Sequence, residues 1–117
     1  MTEVIGVFGA AESGDGIGVQ GWGPTGVKAI SDKYALDVDG ANRFTQAGTT
    51  TVAAGTSAKT VSGLKVGTGA LVLATVQGAP STVMVASAKR VSATKIRIFL
   101  TGNAPAGGVK VGFFVLN

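Results

Sequence analysis

The sequence predicts an all-β protein in which a short glycine-rich β-repeat segment is followed by an antiparallel β-sandwich. Residues 4–40 contain short repeat units separated by turn-forming residues, whereas residues 44–117 show the two-residue alternation of β-strands. No window has the period of an amphipathic helix, and residues 81–100, which lack Gly and Pro, are rich in strand-favouring Val, Ile and Thr. We therefore predict a stem, residues 1–43, and a head, residues 44–117.

The stem contains four related units, each of which reads small, apolar, variable, small, variable. Each unit is long enough for one short strand, and turn formers such as Gly23-Pro24-Thr25-Gly26 lie between units. Strands this short and glycine-rich cannot bury a core alone, so we expect them to stack in rungs or to intertwine with other copies. The units are residues 6–10, 18–22, 26–30 and 35–39.

The head contains six predicted strands with Gly- and Pro-containing turns between them, a pattern typical of an antiparallel sandwich or barrel. In residues 95–100, three apolar side chains alternate with Lys95, Arg97 and Phe99, which assigns the apolar set to the interior. The predicted strands are 49–53, 58–62, 71–77, 83–86, 95–100 and 109–116. The predicted interior is Leu71, Leu73, Val83, Val85, Ile96, Ile98, Val111 and Phe113.

The composition excludes several kinds of site and points to self-association. The 117 residues include no Cys and no His, so disulfides, Cys- or His-ligated metals and His- or Cys-based catalytic triads are excluded. No pair of carboxylates is positioned for acid–base catalysis, and we expect neither an enzyme nor a cofactor.

Charged residues make up 14% of the chain, against about 25% in average proteins. Because so few charged side chains are present, much of a monomer's surface would be apolar. We therefore expect part of that surface to be buried against other copies.

The charges divide the chain into two zones. Residues 1–39 contain all six acids and two lysines, whereas residues 40–117 contain eight bases and no acid. A basic head would attract anionic surfaces such as acidic polysaccharide, lipopolysaccharide or nucleic acid, although we favour a solvated outer face as the role of its scattered lysines. Nucleic acid is not expected as a partner, because only Lys89-Arg90 and the pair Lys95 and Arg97 cluster in sequence.

One motif matches the dinucleotide-binding fingerprint GxGxxG. It spans Gly16–Gly21, and Asp39 follows at a suitable distance. The fingerprint needs a helix directly after it, to hold the pyrophosphate at the helix N-terminus. Residues 22–26, Trp-Gly-Pro-Thr-Gly, cannot form that helix, so the repeat explains these glycines better.

Two further motifs lack the context that their chemistry requires. Asp37-Val38-Asp39-Gly40 begins like a calcium loop, but no Glu follows to complete it, which favours a strand ending in a turn. Ser92-Ala93-Thr94-Lys95 matches the SxxK motif, which works on a helix. Here the motif opens a predicted strand, so we interpret Ser92 as a turn residue and Lys95 as solvated. We therefore assign no catalytic, cofactor-binding or metal-binding residue.

The aromatic residues Trp22 and Tyr34 have two interpretations. Both lie in polar, glycine-rich surroundings, where an exposed ring could stack on a sugar. Either ring could instead fill the gap between two rungs of the stem, and we favour this second role.

Three stretches together resemble a known group of proteins. Residues 16–30, GIGVQGWGPTGVKAI, resemble the GxGVxGxS-type repeats of bacterial and phage fibre proteins. Residues 34–44, YALDVDGANRF, resemble the ALxVxGxxxF junction of trimeric phage tail-fibre and bacterial surface proteins. The strands at 70–77, 95–100 and 109–117 are similar to the C-terminal β-domain of uncharacterised bacterial proteins that carry those repeats. The resemblance implies a homotrimer with an intertwined or triangular β-stem and a jelly-roll-like β-sandwich head, and it implies no catalytic residues.

Two function classes follow from these observations. The first is a non-enzymatic structural module, a homotrimeric fibre tip or cap with a possible adhesive role, which acts outside the cell or on a cell or particle surface. The alternative is a carbohydrate-binding module that recognises anionic surface glycans. No apolar run is long enough to insert into a membrane, and the first residues do not form a signal-peptide pattern.

Overall fold

The computed structural model describes residues 19–78 and 82–117 and confirms the all-β class. The chain divides into two units, Met1–Asn42 and Arg43–Asn117, and the described residues form six strands and no helix. Among these residues, no helix is long and apolar enough to cross a membrane. The strands are β1 (Ala47–Val52), β2 (Ala58–Val61), β3 (Leu71–Val76), β4 (Val85–Ser92), β5 (Lys95–Leu100) and β6 (Val109–Leu116).

The six strands form two antiparallel sheets of three strands each. In the first sheet β6 lies between β1 and β3, and in the second β5 lies between β2 and β4. The two sheets also contact each other at both edges, where β3 approaches β4 and β1 approaches β2. The strands β6 and β5 therefore occupy the central positions of the two sheets.

The hydrophobic core draws side chains from the inward faces of both sheets. Ile96 and Ile98 of β5, Val52 of β1 and Val111 of β6 are fully buried. Val85 and Phe113 are half-buried and pack against this core. These positions and the buried Val83 confirm most of the predicted interior. The description of the head as a jelly-roll-like sandwich stays a prediction.

The interior prediction was wrong for β3, where Leu71 and Leu73 face outward. Their side chains are 65% and 55% exposed, and Val72 and Val76 point inward instead. Both faces of this strand are apolar, so its own alternation does not identify the inner one. Pairing with β6 decides the question, because Val76 lies opposite the buried Val111.

The strand β4 is longer than predicted and begins later. The sequence pattern indicated a strand over residues 83–86, whereas β4 runs from Val85 to Ser92 with register shifts near both ends. Val83 is buried although it precedes the strand. The two-residue connection to β5, Ala93-Thr94, contains no Gly, Pro, Asn or Asp, so the interpretation of Ser92 as a turn residue was the sole indication of the hairpin.

The segment between β2 and β3 adds two core residues that strand periodicity did not identify. Leu64 and Val66 are buried, and their backbone N–H groups donate to the carbonyls of Thr94 and Ala93. The Asn117 side chain holds the same segment, because its Oδ1 accepts from Gly67 N at 2.7 Å. The segment is therefore fixed to the β4–β5 turn by backbone hydrogen bonds.

Residues 19–42 form no strand in the single chain. The repeat units predicted as strands at 26–30 and 35–39 are therefore not strands within one chain. Residues 19–22 of the unit at 18–22 form no strand either, while residue 18 and the unit at residues 6–10 lie outside the described residues. An intertwined stem would take its hydrogen bonds from other copies, so the predictions of a stem and of a trimer stay predictions.

Candidate functional site

The described part of the GxGxxG motif has no helix after it. Residues 19–22 continue into irregular backbone, and Gly21 approaches Gly26 so closely that a Cβ on Gly21 would lie 2.1 Å from the Gly26 carbonyl oxygen. Gly16–Gly18 lie outside the described residues. The close approach gives Gly21 a structural role in a tight bend of the chain.

The other two motifs lie in irregular backbone and at a hairpin turn. Asp37 and Asp39 are exposed, and no group of three or more His, Cys, Asp or Glu residues that could hold a metal occurs within 19–78 and 82–117. Ser92 ends β4, and its Oγ accepts a hydrogen bond from Thr94 N at 3.3 Å. Lys95 begins β5 with an exposed side chain. The SxxK residues thus form a hairpin turn.

Trp22 and Tyr34 are exposed in the single chain, at 83% and 70%. The Lys33 ammonium lies 5.5 Å from the centroid of the Tyr34 ring. Neither ring is buried against its own chain, so each remains available to a sugar or to another copy.

The outward side of the first sheet is apolar along half its length, and we call it the apolar face. Phe114 on β6 lies directly between Leu73 on β3 and Ala47 on β1. Leu71 and Leu116, the next outward pair, are both exposed. Phe44 lies against Phe114, with ring centroids 5.1 Å apart. These residues form a contiguous apolar patch of the kind that marks an interaction surface.

A shallow depression of about 450 Å³ adjoins this patch. Its lining includes Gly112, Phe114, Leu73, Thr49 and Gln77. The Gln77 side chain extends towards Gly112, where a Cβ would lie 2.9 Å from Gln77 Nε2. The outward side of the first sheet is therefore polar at the end near Gln77, where threonine hydroxyls and one amide stand in place of leucines.

The outward side of the second sheet carries cations, and we call it the cationic face. Lys89 on β4 and Arg97 on β5 are direct cross-strand partners. Lys89 Nζ lies 5.5 Å and Arg97 Cζ lies 5.4 Å from the centroid of the Phe99 ring. Thr60 lies opposite Arg97 on its other side, and Ser87 lies opposite Phe99. Two positive groups thus share one aromatic ring, with hydroxyl groups beside them.

Neither face can present a carboxylate, an imidazole or a thiol from its own unit. Residues 43–117 contain no Asp, Glu, His or Cys. The chemistry available on the two faces is apolar contact, hydrogen bonding through hydroxyl and amide groups, and attraction of anions.

The sequence pattern did not identify either face as a unit. The apolar face was missed because Leu71 and Leu73 were placed inside. The cationic pair was missed because Lys89 lies beyond the predicted end of its strand. The sequence indicates this pair only by the short spacing between Lys89 and Arg97. That spacing places the two residues opposite each other only if a hairpin turn lies between them.

No family model, curated protein or solved structure matches the chain.

Proposed function

We propose that this chain is a non-enzymatic assembly module, a homotrimer that forms the tip or cap of a fibre on a particle or cell surface. One observation carries the proposal: all seven large apolar side chains of residues 19–42 are exposed in the single chain. They are Val19, Trp22, Val27, Ile30, Tyr34, Leu36 and Val38. A segment of this composition gains stability when other copies cover it.

The energetic scale suggests that residues 19–42 do not act alone. Full burial of one large apolar side chain contributes about 1.5–3 kcal/mol, so seven contribute on the order of 10 kcal/mol. Association costs about 4–15 kcal/mol in lost freedom, and ordering the chain costs more. A stable assembly therefore needs further buried area, which the apolar face of the second unit can supply.

The distribution of charge favours a second copy of this chain as the occupant of the apolar face. Residues 43–117 carry eight bases and no acid, so copies of this unit repel each other in general. Among the outward residues of the first sheet, Lys110 is the sole charged one, and it lies opposite Thr51 at the polar end. The apolar face is thus the place where two like-charged units can approach at the lowest electrostatic cost.

The trimeric state rests on the repeat pattern. The resemblance of residues 16–30 and 34–44 to fibre repeats and junctions favours three intertwined copies over two. In this arrangement residues 1–43 form the stem and residues 44–117 the jelly-roll-like sandwich head. The rings of Trp22 and Tyr34 fill gaps between chains, which accounts for their exposure in one chain.

Trp22 is the sole tryptophan of the chain and reports directly on this assembly. We expect its emission to be blue-shifted and protected from iodide quenching at micromolar concentration, and to shift red on dilution as the copies separate. The chain unfolded in guanidinium provides the reference for a fully exposed indole. Emission that matches this reference at every concentration would contradict the proposal.

A further inference from the structure

The cationic pair on the second sheet is an arrangement that a sheet does not favour by itself. Lys89 and Arg97 face each other across adjacent antiparallel strands, where like charges repel and destabilise the pairing. The ring of Phe99 offsets part of this repulsion, since both cations lie within 6 Å of its centroid. The ring attracts each cation separately but does not neutralise either one.

No group within the same unit neutralises the pair. Residues 43–117 contain no acid, so neither cation has a carboxylate partner there. Lys95 adds a third exposed cation on the outward side of β5, two residues from Arg97. By contrast, Arg90 directs its Nε to the carbonyl of Val66, a contact that fixes the β2–β3 segment. Within residues 19–78 and 82–117, Lys89, Lys95 and Arg97 make no comparable side-chain hydrogen bond to the chain.

We propose that the cationic face is a binding site for acidic polysaccharide. A sulfate or carboxylate group between Lys89 and Arg97 removes the repulsion between them and gains charge-assisted hydrogen bonds, two of which a guanidinium can make to one anion. Thr60 and Ser87, which flank Arg97 and Phe99, place hydroxyl groups where a sugar ring presents its own hydroxyls. The site lies on the opposite sheet from the apolar face, so it does not depend on the proposed self-association.

The same geometry disfavours nucleic acid. Proteins bind single strands by stacking bases on exposed aromatic rings and by tracking the backbone with clustered cations. Phe99 is half-buried and has two cations over it, so the cationic face offers no free ring for a base. An anionic sugar polymer needs no such ring.

Heparin provides a probe that carries both sulfate and carboxylate groups. We expect the full chain to bind a heparin column at about 0.15 M salt, where long-range attraction is already screened beyond about 8 Å. The double variant Lys89→Gln/Arg97→Gln should bind at least about tenfold more weakly. The matched control Arg43→Gln/Lys65→Gln removes one Arg and one Lys from other exposed positions and should bind within about twofold of the parent. The thermal midpoint of each variant checks that it is folded.

Three results would overturn the proposal. Loss of retention by the parent chain at about 0.15 M salt would show generic attraction only. An equal loss in both double variants would show that net charge decides binding, and not the position of the pair. Competition by single-stranded DNA as effective as that by heparin, at equal concentration of negative charge, would identify a nucleic-acid surface instead. Dynamic light scattering on the same samples separates this question from self-association, since linked copies bind a polymer more tightly than single copies do.

Discussion

The outer faces of the two sheets differ sharply, although each sheet has three antiparallel strands and a similar inner face. The first inner face contributes mainly Val, and the second contributes Ile and Leu, to one core. Outside, the first sheet presents Leu71, Leu73 and Phe114, whereas the second presents Lys89 and Arg97. The core requires only inward apolar side chains, so the outward positions are free to carry different chemistry. We interpret the first outer face as an assembly surface and the second as an anion-binding surface.

The largest expected effect separates inward from outward positions. Ile98→Asp places a carboxylate at a fully buried position between β2 and β4, and we expect it to cost more than about 3 kcal/mol and to unfold the chain. Leu73→Asp, on the apolar face, should leave each chain folded but prevent association. Circular dichroism and urea unfolding measure the first effect. A stable Ile98→Asp chain would show that the inward and outward faces of β5 are reversed.

A smaller effect tests the close packing of β1 against the start of β6. Gly108 has φ +76°, and a Cβ there would lie 2.7 Å from the Val52 carbonyl oxygen and 2.9 Å from Thr51 Cγ2. Gly108→Ala should therefore cost about 1–3 kcal/mol of unfolding free energy. Gly69→Ala is the control, because nothing lies within 4 Å of the position that a Cβ would occupy there. Equal urea midpoints for the two variants would refute this account of the β1–β6 junction.

The third prediction compares one exposed apolar residue on each sheet. Leu73→Ser removes apolar area from the proposed assembly surface and should weaken association by about 1–2 kcal/mol per contact, or roughly tenfold. Val91→Ser changes a similarly exposed residue on β4 and should leave association unchanged. Sedimentation equilibrium measures both. If the two variants dissociate alike, the first sheet has no special role in assembly.

The smallest expected effect lies in the like-charge pair. Lys89→Gln removes repulsion from Arg97 but also one cation from the Phe99 ring, and the two contributions are each below about 1 kcal/mol. Measurements at different salt concentrations distinguish the two contributions, because high salt screens the repulsion between Lys89 and Arg97. We expect Lys89→Gln to gain about 0.2–1 kcal/mol of stability relative to the parent as salt is lowered.

Lys59→Gln is the control for this measurement, because Lys59 lies opposite Ile98 and has no cation as its β5 partner. Its stability difference from the parent should change less with salt. A salt dependence of the same size in both variants would mean that Lys89 and Arg97 do not interact specifically.

The comparison of the two faces also explains how far the sequence predicts this fold. In β5, Lys95 and Arg97 alternate with Ile96 and Ile98, so charge identifies the outer side and the prediction is confirmed. In β3 both sides are apolar, and only the pairing with β6 distinguishes them. Phe113 lies opposite both Gly48 and Ala74, which leaves room for its ring on the inner side. The register of β3 therefore depends on β6, which is distant in sequence, and the residues of β3 alone do not determine it.

The candidate surfaces were harder to predict than the strands. The pairing of Lys89 with Arg97 depends on the hairpin turn at Ala93-Thr94, whose residues have no strong turn preference. The basic character of the second unit was evident from the sequence, but its concentration on one sheet face was not. Charge composition therefore motivates the anionic ligand that we propose, and the register locates the residues that we propose to bind it.

The mass of the chain in solution tests the central claim of self-association most directly. Multi-angle light scattering at micromolar concentration and physiological salt should give close to three times the mass of one chain. The Leu73→Asp variant, measured in the same way, should give the mass of one chain. A parent chain that is monomeric at every concentration, with a stability that does not change on dilution, would contradict the account.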